Sequence, residues 1–252
     1  AQASLFIFSS FCYHTFERER ERDMAEKDWN SNAATAGKPI RCKAAIARQA
    51  GEPLVIEEVI VAPPKAGEVR VKIICTSLCY SDVTFWKLKD PPACYPRIFG
   101  HEAVGVVESV GEGVKEVAEG DYVVPIFIAD CGECRDCKSS KSNLCSNFPF
   151  SVSPWMPRDN TSRFTDSNGQ TVFHFLFVSS FSQYTVIDVA HVTRIDSSVP
   201  PNRACLLSCG ASTGDDFPSS SHIPIFKILF SASGYCILKL IAATIAKLSL
   251  LL

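Results

Sequence analysis

The stretch CGECRDCKSSKSNLC, from Cys131 to Cys145, holds four cysteines separated by two, two and seven residues. Thiolates at this spacing can wrap a single irregular loop around a tetrahedral zinc ion, with metal–sulfur bonds of about 2.3 Å. Four thiolates fill the shell, so zinc on Cys131, Cys134, Cys137 and Cys145 would be structural and leave no position for a substrate. Two surface disulfides are the competing reading, but they need an oxidising compartment, and nothing in the chain marks a mature secreted protein. Twelve cysteines in 252 residues is a high count for an intracellular chain, and metal accounts for the excess better than cross-links do.

The chemistry must then be sought elsewhere. In TSLCYSD, Cys79 is followed by Ser81 and Asp82; in GHEAVGVV, His101 follows Gly100 and precedes Glu102. Cysteine and neutral histidine are good zinc ligands, and a neighbouring carboxylate can orient a ligand or tune the metal. Taken singly each is weak, because a cysteine in an apolar strand and an isolated histidine usually serve the core. In RACLLSCGASTG, Cys205 and Cys209 lie four apart and would share one face of a helix. Cys209, at a glycine-rich helix end, could reach a metal, although two core cysteines is the plainer reading.

These residues need a scaffold, and the scaffold reads as β. Between Lys38 and Val124, Val69, Val71, Ile73 and Cys75 alternate with Arg70 and Lys72, and Val104, Val106 and Val107 continue the pattern around Gly105. Turn signals such as Pro63-Pro64-Lys65-Ala66-Gly67 and Gly111-Glu112-Gly113 punctuate these runs at short spacing, which favours a compact barrel over βαβ units. Helix is sparse: one short helix is expected over Ser81 to Lys89 and a second from Pro200. Residues 146–175 read as a long polar surface loop, after which SQYTVIDV returns to strand.

Composition sets the class. At 46% hydrophobic and 21% charged the chain is ordinary for a soluble globular protein, and a net charge of −2 gives no electrostatic reason to expect nucleic acid or an anionic membrane as partner. Residues 1–37 read as a leader without a packed core, with ERERERD carrying no hydrophobic face and Met24 a natural start.

The ordered set TSLC-x-SD, GHEAVG, CGECRDCKSSKSNLC, SRF, SFSQYTV and CLLSCGASTG closely resembles the zinc-dependent medium-chain alcohol dehydrogenases, above all their plant branch, over roughly residues 38–214. The resemblance implies a mostly β fold with some α, a GroES-like barrel whose structural zinc lobe spans 131–145, and a partner domain, doubly wound, that binds NAD. It implies two zinc ions: a catalytic one on Cys79, His101 and Cys209 with Glu102 beside it, and a structural one on the four cysteines of the lobe. Ser81 resembles the first hydroxyl of a proton relay, and Asp82 a carboxylate behind the metal ligands. Tyr80, Ser81 and Thr213 fall where the family meets its cofactor. Tyr80 stands where Arg or His is usual, and Thr84 where some relays end in His. The implied substrate is a small alcohol or aldehyde, the implied setting the cytoplasm, and the implied assembly a homodimer.

The resemblance breaks after Gly214. The 38 residues from Asp215 to Leu252 contain no G-x-G-x-x-G and can hold at most one βαβ unit of about 30 residues. The NAD domain is therefore expected to be missing, and the chain to be inactive alone or a silent zinc-binding partner of full-length relatives. Lys227, Lys239 and Lys247 interrupt the apolar tail, which argues against a membrane-spanning helix of 18 or more residues and leaves no clean face for an interfacial one, while the absence of any period favours out-of-frame or intron-derived sequence.

Overall fold

Strand β1, Ile40–Ala47, shows how the barrel is encoded: its first half alternates buried Ile40 and Cys42 with exposed Arg41 and Lys43, and its second half, Ala44 to Ala47, is buried throughout. One face meets solvent and then both faces are covered, as a strand entering a closed barrel requires. The computed structural model describes residues 35–211, and this fold lies in the unit that begins at Gly37. The expected start at Met24, Thr213 and the 215–252 tail lie outside the described residues.

The strands that follow are β2 (Val55–Val61), β3 (Glu68–Ser77), β4 (Arg97–Ile98), β5 (Glu102–Val110), β6 (Tyr122–Pro125), β7 (Phe164–Asp166), β8 (Thr171–Val172), β9 (Tyr184–Asp188) and β10 (Val192–Arg194). They form two five-stranded sheets, ordered β4-β1-β2-β7-β8 and β10-β6-β5-β3-β9. Every pairing of the named strands is antiparallel. The sheets are stitched together by an Ala44–Ser182 bridge and by the Ala45 amide donating to the Phe181 carbonyl at 2.8 Å. The barrel interior is filled by Ile46, Val59, Ile98, Phe99, Phe164 and Val186, with a second apolar cluster around Val71, Val107 and Ile187.

Three expectations change in detail. The 146–175 stretch is not one loop, because β7 and β8 form a hairpin there; Asp166 accepts the amides of Asn168 (2.9 Å) and Gln170 (3.0 Å) and so pins the intervening DSNGQ turn. The helix expected over Ser81–Lys89 is α1, Tyr80–Lys87, capped at its start by Cys79 and Asp82. The helix from Pro200 lasts one turn, α2 over Pro201–Ala204, and tightens into a 3₁₀ turn over Cys205–Ser208.

Gly100 and Gly105 bring the functional segments close. Gly100 has φ +92°, and a Cβ there would stand 2.4 Å from the Ser180 hydroxyl; a Cβ on Gly105 would stand 2.4 Å from the Lys72 carbonyl oxygen. Only glycine allows β5 to lie against β3 at that point.

Candidate metal centres

The lobe brings its four cysteines together. One ligand atom from each of Cys131, Cys134, Cys137 and Cys145 lies within 4.8 Å of all the others. Cys131 and Cys137 sulfurs are 3.9 Å apart, and those of Cys134 and Cys145 are 4.0 Å apart. Tetrahedral corners about 2.3 Å from a zinc ion are about 3.8 Å apart, so the spacing matches a zinc shell and is far too long for a sulfur–sulfur bond. Backbone amides face the sulfurs: Cys134 N–H donates to Cys131 Sγ (3.4 Å), Cys137 N–H to Cys134 Sγ (3.3 Å) and Phe148 N–H to Cys145 Sγ (3.4 Å). Such donors favour thiolate over thiol. The Ser146 hydroxyl and neighbouring amides bring the Cys134 thiol down to about 5, whereas desolvation and adjacent groups push Cys137 up. A divalent cation resolves that crowding of negative charge.

The second group is assembled from three distant segments. Cys79 caps α1, His101 precedes β5, and Cys209 follows the 3₁₀ turn; one ligand atom of each lies within 4.8 Å of the other two. The Cys79 and Cys209 sulfurs are 4.0 Å apart. Asp82 organises the group: its carboxylate accepts the Gly100 amide at 3.0 Å, faces His101 Nδ1 at 3.2 Å, and accepts the Cys79 amide at 2.9 Å. With Nδ1 engaged, Nε2 is the imidazole nitrogen available to a metal. Cys209's thiol, ahead of His101, drives the Cys79 thiol down to about 3. His101 is pushed up to about 10: burial opposes its charge, but Asp82 and Cys79 outweigh burial.

Glu102 lies beside this group rather than in it. Its carboxylate accepts from the Ser77 hydroxyl and from the Gly210 amide (2.8 Å), which ties the Cys209 segment to β3. Ser81 sits next to the cluster, its hydroxyl 3.9 Å from Cys79 Sγ. Tyr80 is 65% exposed, and the Thr84 hydroxyl donates to the Tyr80 carbonyl at 3.0 Å within α1. Cys205 and Cys209 do not share a helix face, because α2 ends at Ala204 and Cys209 adopts φ −152°, ψ −64°. Cys205 turns to Cys75, and Cys209 turns to Cys79. Sequence reasoning missed Phe127 and Phe175, whose rings lie 5.7 and 6.0 Å from the His101 ring, and it missed Ser77; no local motif marks any of the three.

Comparison with known proteins decides the family. Residues 65–197 match the alcohol dehydrogenase GroES-like domain model. The chain belongs to that alcohol dehydrogenase family. It is 73% identical over 186 residues to alcohol dehydrogenase-like 7 of Arabidopsis thaliana, covering 73% of this chain and 48% of the relative. It is 54% identical over 182 residues to alcohol dehydrogenase 1 of Zea mays, covering 72% and 48%. The chain spans about half the length of the curated relatives it matches. Among solved structures, an alcohol dehydrogenase zinc-binding domain protein from Burkholderia ambifaria superposes with a TM-score of 0.62 at 30% identity, covering 70% of this chain and 48% of the other. Benzyl alcohol dehydrogenase from Acinetobacter calcoaceticus superposes with a TM-score of 0.56 at 27% identity, covering 69% and 46%. Among the described residues, no helix is long and apolar enough to cross a membrane.

Proposed function

We propose that this chain is the metal-binding half of a zinc-dependent alcohol dehydrogenase that oxidises primary alcohols to aldehydes with NAD. The observation that carries the reading is the convergence of Cys79, His101 and Cys209, three soft donors within 4.8 Å, beside a separate group of four cysteines. Two thiolates and an imidazole suit zinc and leave a fourth position open, whereas four thiolates leave none. The lobe is thus the structural site and the three-residue group the catalytic one. Bound there, zinc would supply the positive charge that makes an alcohol easier to deprotonate.

The chain's own residues do the rest. Asp82 fixes the tautomer and ring orientation of His101 while holding the Cys79 backbone, so one carboxylate sets two ligands. Glu102 bridges Ser77 and Gly210 and so fixes the third. The Ser81 hydroxyl, 3.9 Å from Cys79 Sγ, is assigned the proton that leaves the alcohol, and the Phe127 and Phe175 rings beside His101 make that side of the site apolar. Tyr80 and Thr213 are assigned to the cofactor side, and a homodimer in the cytoplasm is the assembly and setting that suit thiolate ligands and the family.

The 252-residue chain, loaded with zinc, should retain two zinc ions, and His101→Ala and Cys134→Ser should each retain one; unchanged metal content in both variants overturns the reading. The alternative reading is a catalytically silent zinc-binding protein. Alcohol-dependent NADH formation that disappears in His101→Ala marks the enzyme; two zinc ions with no NADH mark the silent form.

A further inference from the structure

Among the described residues four cysteines belong to neither metal group, and two of them, Cys75 and Cys205, face each other. Cys75 lies on β3 and is partly open to solvent; Cys205 opens the 3₁₀ turn and is buried. Their sulfurs are 3.8 Å apart, although the residues are 130 positions apart in sequence. We propose that Cys75 and Cys205 form a reversible dithiol, oxidised by peroxide to a disulfide that ties β3 to the turn presenting Cys209. This site stands independently of the zinc assignment.

Three features favour the bond. Joining the sulfurs at about 2.05 Å needs a closure of only about 1.8 Å. The β3–β5 register shifts between Ile73 and Cys75, so the ladder is interrupted just before Cys75, which pairs with Val104 where it resumes. The pair faces an apolar cluster of Val104, Val124 and Ala204, and among the described residues neither thiol joins a group of three metal-ligating side chains. Cys205's thiol lowers the acidity threshold of Cys75, which makes the more exposed sulfur the nucleophile.

The chemistry balances with hydrogen peroxide as oxidant. The Cys75 thiolate attacks one peroxide oxygen, the O–O bond breaks, and Cys75 becomes a sulfenic acid with release of one water. Cys205 then attacks the Cys75 sulfur, the S–O bond breaks, a second water leaves, and the S–S bond forms. Two thiols lose two electrons and two protons, and one peroxide becomes two waters. A dithiol reductant reverses the step.

The zinc-loaded 252-residue chain should be treated with hydrogen peroxide, alkylated, and digested after Lys and Arg without reduction. Cleavage after Lys72, Lys87 and Arg203 places Cys75 with Cys79 and Cys205 with Cys209, so backbone fragments between these residues assign the bond. The expected result is a linked pair of peptides bonded through Cys75 and Cys205, with joint loss of alkylation at both and recovery after dithiothreitol. Cys75→Ala and Cys205→Ala should each abolish the link, while the mapping of the unaltered chain decides the matter even where a variant folds poorly. Persistence of both free thiols, a Cys75 oxyacid with Cys205 still alkylated, or a link through Cys79 and Cys209 alone would each overturn the proposal.

Discussion

At the scale of single residues, the ligand types were legible because metal chemistry restricts them, and their company was not. Cys79-x-Ser81-Asp82 and Gly100-His101-Glu102 are local strings that can be read directly. Which carboxylate serves which ligand depends on contacts across the fold: Asp82 faces His101, while Glu102 turns to Ser77 and Gly210. Asp82→Asn should therefore weaken zinc at the three-residue group by about 10- to 100-fold while leaving the lobe unchanged. Competition with a zinc-binding dye measures this, and equal retention by variant and parent would remove Asp82 from the role. A second residue-scale prediction concerns His174, which is fully buried, accepts the Arg163 amide at Nε2 (3.1 Å) and is brought by burial down to about 3. The unfolded chain takes up this proton near pH 6.5 and the fold does not. The stabilisation is complete above about pH 6.5 and is lost as pH falls toward 3, at up to about 1.4 kcal/mol per pH unit. Urea melts between pH 7 and 5 should show a shallower decline for His174→Gln than for the parent; parallel declines would refute it.

At the scale of elements, alternation in β3 located the strand correctly and misplaced one side chain. Arg70 falls on the position that pattern assigns to solvent, yet it is completely buried, with Nε and Nη2 on the two oxygens of buried Glu108 (2.6 and 3.1 Å) and Nη1 on the Lys38 carbonyl (2.6 Å). Pattern reading treats charge as exposed and cannot see a partner 38 residues away. Removing one member leaves an unmatched buried charge, so Arg70→Met alone should cost about 3–5 kcal/mol, and Arg70→Met with Glu108→Leu should cost markedly less. Denaturant titration of both variants checks the order; a double variant less stable than the single would show that the pair contributes more than mutual neutralisation. The helix opening at Pro200 is present, but the shared face expected of Cys205 and Cys209 is not, for a related reason: spacing of four implies a shared face only while the α-helix continues, and here it stops at Ala204.

At the scale of the whole molecule, the motifs and their order specified the barrel family, since turn punctuation and strand pattern agree over 38–124 and the family model covers 65–197. The sequence spacing already separates a local metal group from a scattered one; what it could not show is which side chains hold the scattered group together. The lobe draws four thiols from 15 consecutive residues and closes gaps of two, two and seven residues, so its shape is largely local. The other group needs Cys79, His101 and Cys209 to be delivered by a helix start, a strand start and a 3₁₀ turn, held by Asp82 and Glu102. It offers three ligands instead of four and two thiolates instead of four, and loosening any one of three segments opens it. Zinc should therefore leave in two phases as a chelator is titrated in, first from Cys79, His101 and Cys209 and then from the lobe. His101→Ala should abolish the first phase only, and Cys134→Ser the second only. A single phase, or loss from the lobe first, would mean that the three-segment site is held more rigidly than its scattered origin implies.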